Sequence, residues 1–95
     1  MSDPTLLVLT SLAGGDKHGY AMMDDIERFS DVRLGPGTLY GAITRLEQRG
    51  WISPVGPQDR RQPYTITGAG REYLTGELRK MQSLSATAEQ RLKPV

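Results

Sequence analysis

The sequence predicts a mainly α-helical protein that carries a small β-hairpin and ends in one long helix. Three observations point there. Up to about residue 49 the apolar side chains recur with helical spacing. From Trp51 to Thr67 that period gives way to two short alternating runs around a turn rich in breakers. Beyond Thr67 a third apolar series recurs in steps of four and three, the mark of a long amphipathic helix.

The chain is organised around LGPGTLYGAITRLEQRGWI, residues 34–52. Gly35-Pro36 starts a helix there, since proline at the first helical position lacks only an N–H that would be unpaired anyway. Gly50 supplies the stop. Leu39, Ala42, Ile43 and Leu46 follow the i, i+3, i+4, i+7 spacing of a buried stripe. The opposite face carries Gly37, Gly41, Thr44 and Gln48, flanked by Tyr40 and Arg45, and has little bulk and almost no acid. A solvated face favours Glu and Lys over glycines, each of which destabilises a helix by roughly 1 kcal/mol. Two glycines make sense where another surface must approach the backbone, and a DNA major groove admits such a helix.

At 95 residues the chain fits one domain with a core of marginal size. Apolar residues at 37% and charged residues at 24% fit a globular, soluble protein and not a disordered one. No apolar run is long enough to cross a bilayer, and no basic-then-apolar leader is present. The lack of cysteine removes disulfides, thiol redox sensing and thiolate metal sites, and fits a cytoplasmic location. One histidine offers no metal-ligand cluster, and no cofactor is expected. The net charge of +1 argues little, but its distribution argues more. Residues 1–32 set six acids against Lys17 and Arg28, a net of −4. Residues 33–71 set Arg33, Arg45, Arg49, Arg60, Arg61 and Arg71 against Glu47 and Asp59, a net of +4. That basic block is a local electrostatic footprint, or else a surface with scattered arginines.

Taken in order, Asp3-Pro4 starts the first helix, and Thr5 to Ala13 is apolar on nearly every side before Gly14-Gly15 ends it. A helix so apolar is expected to be shared between the core and a partner chain through Leu6 and Leu9. Residues 16–18 read as a polar connection, with His18 in a loop. Gly19 to Phe29 forms the second helix, with Met22, Ile26 and Phe29 as its buried stripe and Met23 beside it; Asp24, Asp25, Glu27 and Arg28 are its wet side. Tyr20 either packs inward or offers its hydroxyl to a phosphate. After Gly50, Trp51, Ile52 and Val55 form a short strand, broken by Pro54; GPQDRRQP at 56–63 is a turn tipped by Arg60 and Arg61; Tyr64 to Thr67 form a second strand. Trp51 is read as a core or hinge residue, with ligand stacking as the alternative. Thr67 caps a last helix from Ala69 to Leu92, whose seam is Leu74, Leu78, Met81, Ser85, Ala88 and Leu92. A helix of ~24 residues is ~36 Å long, more than so small a globule covers, so its apolar side calls for a second protomer.

This order is that of a winged helix-turn-helix over residues 1–68 with a dimerisation helix over 69–95, the two forming one compact unit. The sequence here also resembles the PadR family of transcriptional regulators, through HGY at 18–20, GPGTLYGAITRLEQRGWI at 35–52, RRQPYTIT at 60–67 and the following Gly70. The resemblance covers nearly the whole chain. It implies a homodimeric regulator, usually a repressor, on a palindromic operator in double-stranded DNA, of the subgroup with a single terminal helix. Some relatives stack flat drugs on an aromatic in mid-helix; Met81, Ser85 and Ala88 occupy that region here, and an inducer is left unnamed.

Thr38, Tyr40, Thr44, Arg45 and Gln48 are the candidates for the groove face, with Thr44 and Gln48 at base edges and Tyr40 and Arg45 at phosphates. Gly37 and Gly41 permit close approach. Arg60 and Arg61 would reach the backbone or adjacent minor groove, and Tyr20 and Lys17 would add phosphate contacts. For Tyr40 the alternative is packing against the hairpin. A winged-helix module for protein contact, without DNA, predicts an apolar groove face, which this is not. An enzyme has no support from any Ser-His-acid set, paired carboxylates or phosphate loop, since GGDKHG lacks that spacing.

Overall fold

The computed structural model describes residues 3–56 and 61–94. The elements are α1 (Pro4–Ala13), β1 (Lys17–His18), α2 (Gly19–Ser30), α3 (Pro36–Gln48), β2 (Ile52–Pro54), β3 (Pro63–Ile66) and α4 (Gly68–Leu92). The helical starts follow their caps. Asp3 Oδ1 accepts from the Thr5 N–H at 2.9 Å. His18 caps α2, its Nδ1 accepting from Ala21 N–H at 3.3 Å, and Pro36 opens α3. Gly50 closes α3 with φ +75°, and Asp31 closes α2 in the same left-handed region, which Asp tolerates better than most side chains.

The core lies where α1, α2 and α3 meet. Val8, Leu9 and Leu12 pack with Met22, Met23 and Ile26 and with Leu39, Ala42, Ile43 and Leu46; Ile52 and Ile66 close it from the sheet and Leu74 from α4. Each large apolar side chain so buried stabilises the fold by about 1.5–3 kcal/mol relative to exposure.

Two expectations are corrected here. Leu9 is fully buried inside this protomer, so its side chain is not presented to a partner and spends its apolar surface on its own core. Phe29 is 46% exposed, because the last turn of α2 runs off the edge of the core and the stripe runs out with it. It lines an open apolar groove with Leu6, Leu7, Leu74, Leu78 and Met81.

The sheet has three antiparallel strands in the order β1-β3-β2, where the sequence suggests a two-stranded hairpin. Lys17 pairs with Tyr64 and His18 with Pro63; Ile52, Ser53 and Pro54 pair with Ile66, Thr65 and Tyr64. Two polar residues carry no alternation to betray β1, which exists because β3 offers a free edge. Pro54 sits within β2 because that strand is at the sheet's other edge, where a missing donor is tolerated.

A polar tie crosses the helical layer. The buried Ser11 hydroxyl donates to Asp25 Oδ2 at 2.7 Å. Lys17 Nζ donates to the Ser11 and Gly15 carbonyls at 2.5 and 3.1 Å and stands 3.9 Å from Asp25 Oδ2. Lys17 thus closes the end of α1 and is fixed against α2. Asp25, placed on the wet side by its sequence position, is half-buried for the same reason.

The joint between α3 and α4 is also stitched. Thr67 donates its N–H to the Trp51 carbonyl at 3.0 Å and its hydroxyl to the Gly50 carbonyl at 2.6 Å, while accepting from Gly70 N–H at 3.1 Å. A Cβ on Gly70 would run into the Trp51 carbonyl oxygen, so only glycine lets the chains lie this close. The Trp51 and Tyr73 rings stack, 3.9 Å between centroids and 15° between planes, so the indole packs against α4. From Met81 onward every described residue of α4 is exposed, and the molecule measures 60 Å along its longest axis.

Replacing Asp25 tests the polar tie. Asp25→Ala leaves the Ser11 hydroxyl buried without its acceptor, a loss of about 1–3 kcal/mol. Thermal unfolding should show a fall in Tm of several degrees, and an unchanged Tm would mean that the tie does not stabilise the fold.

Candidate nucleic-acid interface

Helix α3 divides as its periodicity demands. Leu39, Ala42, Ile43 and Leu46 are buried. Gly37, Thr38, Thr44, Arg45 and Gln48 are exposed, Tyr40 is 41% exposed and Gly41 is partly covered. A Cβ on Gly37 would meet nothing within 4 Å; on Gly41 it would meet only Arg45 Nη1, at an ordinary 3.5 Å. Among the described residues nothing packs so as to require either glycine. The Thr44 hydroxyl donates to the Tyr40 carbonyl at 2.9 Å, which commits its proton and leaves its methyl and lone pairs outward. Glu47 is the acid of this helix and lies on the Tyr40 flank.

Tyr40 leans across onto α2. A Cβ on Gly19 would run into the Tyr40 hydroxyl, so the phenol rests where only glycine permits. A small polar recess surrounds it, formed by His18, Gly19 and Tyr20 at the start of α2 and by Arg61, Gln62 and Tyr64 of the wing. The close packing of Tyr40 is therefore against α2, with the wing's Tyr64 across the recess, and the residue remains 41% exposed. Tyr20 is 62% exposed and does not pack inward. Burial first, then the Glu47 carboxylate and then Tyr40, push the Tyr64 phenol above its ordinary value of 10.0.

The wing rests on Gln62, whose Nε2 donates to the carbonyls of Val55 and Pro63 at 3.0 and 3.1 Å. Its Oε1 is buried without a hydrogen-bond partner. Arg61 is exposed at the edge of the wing, and Arg60 lies outside the described residues.

Two basic residues of the sequence reading are committed elsewhere. Lys17 cannot serve a phosphate in this conformation, since its ammonium is spent on two carbonyls and Asp25. Arg33 is held by Asp24 at 2.8 Å and Glu27 at 3.0 Å, which subtracts it from the basic footprint. Among the described residues no three His, Cys, Asp or Glu side chains are grouped to hold a metal ion, and no helix is long and apolar enough to cross a membrane.

Gly19 and Tyr64 escape a reading of the sequence, because their roles depend on a side chain from another element. The one available signal is a glycine opening a helix inside the HGY block.

Residues 8–76 match the profile of the transcriptional regulator PadR-like family. A transcriptional regulator of Mycobacterium tuberculosis is 32% identical over 83 residues, covering 84% of this chain and 77% of that protein. An uncharacterized 37.1 kDa transposon protein of Streptomyces fradiae is 46% identical over 84 residues; the match covers 88% of this chain but only 24% of that protein's length. In fold, the crystal structure of a PadR family transcription regulator from Clostridium difficile agrees with a TM-score of 0.82 at 22% identity, over 95% of this chain and 98% of that one. With a profile spanning both α3 and the wing, and a regulator similar along most of its length, this chain belongs to the PadR-like family of transcriptional regulators.

Proposed function

We propose that the chain binds double-stranded DNA as a homodimer, on a two-fold operator, and acts as a repressor. The observation that carries this reading is the exposed face of α3. It holds two glycines that nothing among the described residues requires, next to Thr44, Arg45 and Gln48. A helix with its side chains is about 10–12 Å across, and the major groove is about 12 Å wide. Stripping the side chains at 37 and 41 lets the backbone sit deeper. Gln48 then offers a bidentate amide to a base edge. Thr44, its proton already committed, accepts from a base amine or packs its methyl on a thymine. Thr38, Arg45, Tyr40 and Tyr20 lie on the flanks, where phosphates run, and Arg61 extends the contact from the wing, with Arg60 as its neighbour in sequence.

The dimer half of the reading is supported by the unpartnered side of α4. Leu78 and Met81 are 45% and 47% exposed, and Leu84 and Leu92 still more so. Leu78 and Met81 line the same apolar groove as Leu6 and Phe29, and Ala88 and Leu92 follow at the seam's spacing. A second copy's terminal helix has the matching surface, because a two-fold contact joins a patch to itself. Such a pair would read half-sites about 10 bp apart, centre to centre.

Binding measured across a salt series tests the DNA contacts. Arg45→Ala and Arg61→Ala should each flatten the slope of log affinity against log salt by about one phosphate's share, weakening all sequences alike. Gln48→Ala should instead relax base preference, with a loss of ~1–3 kcal/mol on the preferred site. Slopes unchanged in both arginine variants would remove those flanks from the interface.

Gly41→Ala separates stability from function. The helix should gain up to about 1 kcal/mol, raising Tm. Operator affinity should fall because the new methyl stands between backbone and groove. A variant that is both more stable and equally tight would show that the face does not need its glycine.

Leu78→Glu with Met81→Glu should give a monomer that no longer shifts the operator in a band-shift assay, although neither residue touches DNA. A monomer that shifts it at wild-type concentration would break the link between assembly and recognition.

A further inference from the structure

We infer that the stacked pair Trp51–Tyr73, at the joint between α3 and α4, sets which spacing of operator half-sites the dimer accepts. The inference rests on the two-fold DNA-binding reading and concerns a different property from base recognition.

The end of the recognition helix and the start of the dimerisation helix are held together at one place. Thr67 bonds to the Gly50 and Trp51 carbonyls, and the backbone of Gly70 lies on the Trp51 carbonyl. These contacts gather within one turn of α4, and contacts so close together leave rotation about that point weakly resisted. Leu74 adds a buried anchor one turn on, against the core. The broad flat contact is Tyr73 on Trp51, rings 3.9 Å apart and 15° from parallel. Two faces stacked in this way resist tilting of α4 relative to α3 and β2, between which Trp51 stands. Arg49, at the end of α3, places its guanidinium carbon 5.1 Å from the centroid of the same indole. The indole therefore bridges the last residues of α3 and the second turn of α4.

The leverage makes this contact consequential. About ten residues separate the joint from the middle of the seam, an arm of ~15 Å at 1.5 Å per residue. A tilt of ~10° at the joint displaces the far end by ~3 Å, close to the rise of one base pair, about 3.4 Å. Two-fold symmetry doubles the displacement between the two recognition helices. A joint that holds its angle to a few degrees therefore selects half-site spacing to within one base pair. A loosened joint does not.

The experiment uses the full chain and synthetic duplexes in which the two half-sites of a selected operator are moved apart or together by one and two base pairs. The wild-type dimer should lose about tenfold in affinity for each base pair of misfit, as the second half-site stops being held near its partner. Tyr73→Ala should flatten that profile to within about threefold over one base pair either way. Its preference among base substitutions inside a half-site should stay as in the wild type. Tyr73→Phe, which keeps the ring, should restore the steep profile. Emission of Trp51, the sole tryptophan, should shift to the red in Tyr73→Ala and not in Tyr73→Phe. If Tyr73→Ala does not fold, Tyr73→Leu takes its place, covering the indole without presenting a flat face. A folded, dimeric Tyr73→Ala or Tyr73→Leu with a profile as steep as the wild type's would overturn the inference. Wild-type protein that binds no duplex selectively would overturn the DNA-binding reading itself.

Discussion

Helix α3 buries one side completely and leaves the other bare, and the packing of the other elements follows that division. Leu39, Ala42, Ile43 and Leu46 need apolar cover, which α1 and α2 supply from one direction and Ile52 and Ile66 from another. No element can cross the opposite face without filling it. The sheet is therefore pushed to the flank, where Tyr64 meets Tyr40, and α4 leaves from the far end of α3 without crossing it. The polar tie of Ser11, Lys17 and Asp25 serves the same arrangement at a distance. It fixes the end of α1 to α2, and so fixes the start of α2 on which Tyr40 rests.

Most of the fold is legible in the sequence because it is local. Asp3, Thr67, Pro36 and Gly50 act within one turn of where they stand, and the helix bounds follow them closely. The division of α3 into two faces follows from spacing alone. The hidden parts depend on contacts between elements far apart in the chain. Strand β1 is two polar residues whose conformation is dictated by β3, more than forty positions away. Leu9 has the composition of a shared interface residue, but whether an apolar helix faces its own core or a partner is a tertiary fact. Phe29 obeys the stripe's period and is exposed because the core ends before the helix does. Lys17 looks like a free cation until the carbonyls of α1 are seen to turn toward it.

The candidate site divides in the same way. Thr44, Arg45 and Gln48 can be read off a helical wheel, since exposure on an unpartnered face follows from period. Gly19, Tyr64 and Tyr73 cannot. Each matters for what another segment does against it, and apart from the HGY block around Gly19 nothing in its own neighbourhood announces that.

Glycine is where the two kinds of information meet, because a missing side chain has opposite meanings in different places. At Gly19 and Gly70 a Cβ would collide with this chain's own atoms, so the absence is explained by internal packing: one seats Tyr40, the other lets α4 lie on Trp51. At Gly37 and Gly41 a Cβ would have room, and the helix would be steadier for it. Helical spacing marks Gly37 and Gly41 as places of close approach but does not say what Gly19 and Gly70 are for. The structure separates them by what would be struck. The first pair is then a device for building the domain, and the second is a destabilising feature with no internal return. On α3 that space lies between two flanks bearing Arg45 and Tyr40, which is what supports reading this face as one that another surface approaches.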